Sequence, residues 1–290
     1  MKTYSILRHI WRAAYPLLII WGMEIAAILI ILIVWVIGMI IGGVTSSSPE
    51  YADLSQKISQ WLTNNPAFLT LITYMLCLAP FLPIWLKTRK EAVCYEKPKA
   101  APVLIFSFLA FAGFNMCLGL LLTVTDITRF FPSYQHIVEA MTSGNVIFRF
   151  LAAVIAAPII EEMCFRGIIL NRLLTWTRTW VAVLVQAALF SVFHLNLLQG
   201  LYVFILAIWQ GWLYIRFRKL WPCIVGHMAF NLVSFIVGAV ESKGVAVPIW
   251  ALIPGVALFV IGGYLLMKQP AVLPVTSGAV LYGGTKEIRE

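Results

Sequence analysis

The sequence predicts an all-helical, multi-pass membrane protein of about eight transmembrane helices with both termini on the cytoplasmic side. Apolar residues fill 61% of the 290 positions and the mean hydropathy is +0.92, whereas soluble domains carry about 45 to 50% apolar residues. Apolar runs of about 18 residues or more recur along the chain, each long enough to cross a hydrocarbon core of about 30 Å as a helix. Of the 21 lysines and arginines, all but Lys57, Arg129, Arg149 and Lys243 fall at alternate ends of successive apolar runs. That alternation is the positive-inside pattern. It also accounts for the net charge of +9, so no nucleic-acid partner is expected.

The first apolar run, Ala13 to Val44, exceeds the roughly 7 to 15 residues of a secretory signal and reads as a retained helix over 13–43. The polar segment Thr45 to Asn65 reads as an external loop. A second helix spans 67–86, with Pro80 and Pro83 expected to kink it or end it early. A short basic loop, Lys87 to Lys99, leads to a third helix over 101–125. Asp126 to Asn145 is a second external loop with room for a short interfacial helix. A fourth helix runs from Val146 almost to Thr177, interrupted by Glu161, Glu162, Arg166 and Arg172. Further helices follow at 179–195, 198–216, 222–240 and 248–267. We divide the chain into N-terminal helices (1–140), a core carrying the chemistry (141–245), and a last helix with a cytoplasmic tail (246–290). The five cysteines show no C-x-x-C spacing and read as packing residues.

Ionisable groups inside membrane spans are costly and normally face the bundle interior. Three elements concentrate them here: Glu161-Glu162-Met163-Cys164-Phe165-Arg166, then Phe190 with His194, then His227 with Asn231. Glu162 and Arg166 are four apart and share a helical face, which lets them pair. Glu161 lies about 100° around the helix and is left available as a base. Two histidines, a spare carboxylate and an amide suit water activation and oxyanion stabilisation. With the fourth and fifth helices antiparallel about Thr177, Glu161 and His194 reach nearly equal depth, and His227 enters from the same side. Glu24 is also intramembrane and reads as structural or cavity-lining. His136 and Arg149, in or beside the external loop, read as solvated, and Trp and Tyr residues such as Trp11, Trp21, Trp85, Trp180 and Tyr214 as interface anchors or packing groups.

Together these elements resemble the CPBP family, the CAAX-protease and bacteriocin-processing (Abi) membrane proteins that include type II CAAX prenyl endopeptidases. Its pattern is E-E-x-x-x-R, F-x-x-x-H and H-x-x-x-[NB] on successive helices, matched here at every specified position over roughly residues 145–240. The resemblance implies an intramembrane endopeptidase in which Glu161 and His194 activate water and His227 and Asn231 bind the oxyanion. Glu162 and Arg166 would support them. It leaves two chemistries open: a zinc-like divalent metal on Glu161, His194 and His227, or a metal-free, glutamate-activated water. The implied partner is a membrane-associated protein or peptide, such as a prenylated C-terminal tail, within the lipid bilayer of a bacterial inner membrane. The alternative is a non-enzymatic immunity or scaffold protein. A transporter reading lacks the internal repeats common in that class.

Overall fold

The computed structural model describes residues 2–42, 48–89 and 100–271, and among them every regular element is helical. In chain order these are α1 (Lys2–Ile41), α2 (Pro49–Asn64), α3 (Pro66–Arg89), α4 (Ala100–Thr125), α5 (Pro132–Thr142) and α6 (Val146–Leu173). Then come α7 (Thr179–Phe193), α8 (Leu197–Phe217), α9 (Trp221–Glu241) and α10 (Ile249–Lys268). Six of them are long and apolar enough to cross a membrane: α1 from Leu7, α3, α4, α8, α9 and α10. The bent pair of α5 and α6 makes a seventh if it forms one span. The molecule is a polytopic helical membrane bundle.

All eight helices expected from the sequence are present, with shifted bounds. α1 begins earlier, so the basic N-terminal segment joins the helix, where His9 stacks on Trp176 with ring centroids 5.4 Å apart. α6 ends at Leu173 rather than near Thr177. α7 is only 15 residues long, about 22 Å at 1.5 Å per residue, short of a full crossing. The short path expected around His194 is therefore seen.

The expectation of an external loop is overturned, and so, of the two effects expected from Pro80 and Pro83, is the early end. The segment expected as an external loop contains α2, a helix with no buried residue. Ser48 caps it by accepting from Tyr51 N at 3.2 Å, Pro49 occupies the first turn, and Glu50 complements the helix dipole there. α3 runs through both Pro80 and Pro83 to Arg89 instead of ending at them, as membrane helices can when neighbouring groups satisfy the freed carbonyls. The basic loop 90–99 and the tail from residue 272 lie outside the described residues.

α5 and α6 meet at 116°. Gly144 turns the chain there with φ +79°, and a Cβ on it would come within 2.3 Å of Asn64 O. Asn145 accepts from Ile147 N at 2.8 Å to start α6, and its own N–H donates to Asn65 Oδ1 at 2.9 Å. Arg149, expected to be solvated, is buried instead. Its guanidinium donates to Thr142 O across the bend and lies 5.6 Å from the Phe235 ring centroid. The bend places that carbonyl within reach of the first turn of α6, which sequence spacing alone does not reveal. His136 is exposed beside Glu139, as expected.

α6 is the axis of the core. Every residue from Met163 to Leu170 is buried, packed with Phe81, Phe190, Leu206, Leu213 and Phe217. α10 closes against α4 at backbone contact: a Cβ on Gly113 would meet Phe259 N at 2.3 Å. The apolar outer face of α1, including Ile25, Ile33 and Ile40, is exposed and suits lipid. Cys77, Cys164 and Cys223 are buried packing residues.

Candidate active site

Two stretches of α6, Phe150–Ala156 and Met163–Leu170, adopt π-helical geometry and flank the α-helical turn Ala157–Glu162. Such π segments often mark functional sites. The first has a local cause. Ala157 N–H bonds back to Ala152 O, and the next residue, Pro158, has no N–H to offer Ala153 O. Asn231 fills that vacancy: its Nδ2 donates to Ala153 O at 2.8 Å. The third motif is thereby tied to the helix carrying the first.

The carboxylates of Glu161 and Glu162 diverge as the helical spacing predicts. Glu162 is fully buried, and its Oε1 accepts from Arg166 Nη1 at 2.9 Å and from His227 Nδ1 at 2.9 Å. In the amide orientation its neighbours require, Gln210 Nε2 donates to both Glu162 oxygens at 3.0 and 3.1 Å. Arg166 also donates to Ala207 O at 3.4 Å, a carbonyl shared with Gln186 at 2.9 Å. Its guanidinium lies 4.7 Å from the Phe190 ring centroid. Charges removed from water require such pairing, because an isolated buried ion is costly.

Glu161 turns the other way. Its Oε1 accepts a 2.7 Å hydrogen bond from Tyr74 Oη on α3, and its Oε2 faces His227 Nε2 at 3.9 Å. That gap is too long for a direct hydrogen bond, yet an oxygen atom about 2.8 Å from each group can bridge it from one side. Glu161 is 6% exposed and His227 4%, so the groups face each other inside the bundle.

His194 ends α7. Its Nδ1 lies 2.8 Å from Phe190 O, and because a carbonyl only accepts, Nδ1 carries the proton and Nε2 is the free nitrogen. Phe190 is the spacer that positions both histidines, with ring centroids 4.7 Å from His194 and 6.0 Å from His227, each edge-to-face. The three motifs are thus gathered around one aromatic ring.

The sequence reading anticipated the Glu162–Arg166 pair and left Glu161 facing the histidine cluster. It missed Tyr74 and Gln210. Neither lies in a motif, and a tyrosine in an apolar helix reads as packing until α3 is placed beside α6. It also missed the bond from His227 to Glu162. Glu24, expected as structural or cavity-lining, is exposed on α1. Among the described residues, no group of three His, Cys, Asp or Glu side chains is arranged to hold a metal ion. The set Glu161, His194 and His227 is not so gathered. As placed, these residues do not fit a three-ligand zinc site.

Residues 143–233 match the family model described as type II CAAX prenyl endopeptidase Rce1-like. That interval contains every site residue named above except Tyr74. No curated protein and no solved structure matches the chain.

Proposed function

From the match of residues 143–233 to the Rce1-like type II CAAX prenyl endopeptidase model, we propose that the chain is an intramembrane endopeptidase using a Glu161-activated water. The observation that carries this reading is the opposition of Glu161 Oε2 and His227 Nε2 inside the bundle, with the far side of each group already anchored. Tyr74 fixes Glu161 Oε1 and leaves Oε2 to take a proton from water. The free Nε2 of His194 is the second acceptor at the site. Glu162 fixes the His227 ring by accepting from Nδ1, which turns Nε2 toward Glu161; with a proton on it, Nε2 is a donor for developing negative charge.

In this mechanism the water oxygen bonds to the scissile carbonyl carbon as Glu161 accepts its proton. The carbonyl becomes an oxyanion, held by His227 Nε2–H. Asn231 contributes the amide hydrogen not used on Ala153 O. Collapse breaks the C–N bond, and Glu161 returns its proton to the leaving amine. Acid–base groups of this kind typically contribute about 10²- to 10⁴-fold, and one oxyanion donor about 10²- to 10³-fold. The substrate class is a membrane-associated protein or peptide presenting an extended segment, a prenylated C-terminal tail among them.

The test is to incubate detergent-purified protein with farnesylated and unmodified C-terminal tail peptides and a library of membrane peptides, mapping cuts by mass spectrometry. Cleavage lost in His194→Ala and reduced to a trace in His227→Ala supports the reading. Undiminished cleavage in both variants would make these histidines polar packing groups. Absence of cleavage by the wild-type chain across all substrates would favour the immunity or scaffold alternative.

A further inference from the structure

A cavity of about 430 Å³ opens at the basic end of the bundle, where α1 begins and α3 and α6 end. Its walls carry Arg12 and His9 from α1, Lys87 and Thr88 from α3, and Arg172 from α6. No carboxylate is among its described lining residues. Cations sharing one concave wall, with no carboxylate among the described lining residues, repel each other, an arrangement that an anion relieves. The volume lies within the range of about 300 to 1,000 Å³ common for small-ligand sites.

The cavity is a built feature. Arg172 reaches across from α6 to α1, donating to Arg12 O and, at 2.6 Å, to Tyr15 Oη, with its guanidinium 4.7 Å from the Tyr15 ring centroid. A guanidinium carries five N–H donors, so donors remain beyond these two bonds. His9 is held by its stacking on Trp176.

It is also separate from the candidate active site. Arg172 lies eleven residues beyond Glu161 along α6, with the π-helical stretch Met163–Leu170 between them. The intervening turns of α3 and α6 are filled by Cys77, Phe81, Cys164 and Ile168, all fully buried. The cavity lies at the ends of two apolar spans, α1 and α3. Exposed Trp11 and Trp180 near the same end suit the headgroup level of a bilayer.

We propose that this cavity binds the phosphate of an anionic lipid headgroup, with Arg12, Lys87 and Arg172 as its charge partners. Basic pockets between transmembrane helices on the cytoplasmic side recognise such headgroups, and a bidentate guanidinium suits phosphate oxygens. The bound lipid would clamp α1, whose window of strongest hydropathy is only 11% buried inside the bundle, to α3 and α6. This inference rests on the membrane-spanning reading and is independent of the protease reading.

The experiment measures the thermal unfolding midpoint of the full chain in three settings: phosphatidylcholine nanodiscs, the same nanodiscs with phosphatidylglycerol, and detergent with inorganic phosphate. Phosphatidylglycerol should raise Tm by roughly 5 °C over phosphatidylcholine, as expected for a ligand well above its Kd. Arg12→Gln/Lys87→Gln should abolish that rise while leaving Tm in phosphatidylcholine unchanged, because the side chains of Arg12 and Lys87 make none of the described links between helices. Lys219→Gln/Lys268→Gln, which removes two other bases, should keep the rise. An undiminished rise in Arg12→Gln/Lys87→Gln, or loss of the rise in the control pair, would overturn the site. An equal rise from inorganic phosphate alone would overturn the lipid assignment in favour of a free anion.

Discussion

His227 Nδ1 donates to Glu162 Oε1 at 2.9 Å, the same oxygen that accepts from Arg166. One carboxylate therefore fixes a ring on α9 and neutralises a guanidinium one turn along α6. Glu162→Gln should act first on stability, because breaking a buried pair costs about 3 to 5 kcal/mol. Tm in detergent should fall sharply. Glu162→Gln/Arg166→Met, which removes the orphaned charge, should recover part of that loss. Recovery cannot be complete, since His227 still lacks its acceptor. A double variant no more stable than the single one would show that Arg166 is not the main partner of Glu162.

Tyr74→Phe keeps the ring between α3 and α6 and deletes only the hydroxyl bonded to Glu161. The carboxylate then loses its orientation, and kcat should fall by about 10-fold, equivalent to roughly 1.4 kcal/mol. KM and Tm should change little, because the aromatic packing stays. An unaltered kcat would remove Tyr74 from the account of the site.

Asn231 has two consequences to separate. Asn231→Ala withdraws a donor from the site and also strands Ala153 O, which Pro158 leaves without a helical partner. Leaving this part-buried acceptor unsatisfied costs at most about 1 to 3 kcal/mol, the penalty for a fully buried group. The variant should therefore lose stability as well as turnover. The double variant Pro158→Ala/Asn231→Ala restores an N–H to the helix and should regain Tm without regaining activity. Recovery of both would assign Asn231 to helix repair alone.

The alternation of bases predicts that Lys57 and the end of α10 at Lys268 face opposite sides of the membrane. Reporter fusions at the two positions check this. Agreement in sidedness would mean that α7, only 15 residues long, does not carry the chain across with α8.

Much of this fold is legible in the sequence because long apolar runs have few alternatives in a bilayer. The eight apolar helices follow from that constraint, as does the pairing of Glu162 with Arg166 from helical spacing. Amphipathic α2 escaped because hydropathy does not mark a helix without a buried face, although Ser48-Pro49-Glu50 is a readable start signal. Arg149 escaped because its acceptor, Thr142 O, comes within reach only after the chain bends by 116°. Tyr74 and Gln210 escaped for a related reason: their partners lie 87 and 48 positions away in the chain. No local pattern signals a contact between helices of that separation.

The central claim is that Glu161 takes the proton from the attacking water, and it is tested most directly by Glu161→Gln. That substitution keeps the shape and the Tyr74 contact but cannot accept the proton. Turnover of a peptide cleaved by the wild-type chain is measured beside Tm and peptide binding in the same detergent. The account predicts wild-type Tm, retained binding and a rate lower by about 10³-fold or more. Wild-type turnover in Glu161→Gln, or a variant whose lost activity is matched by unfolding while Glu162→Gln stays folded and inactive, would contradict it.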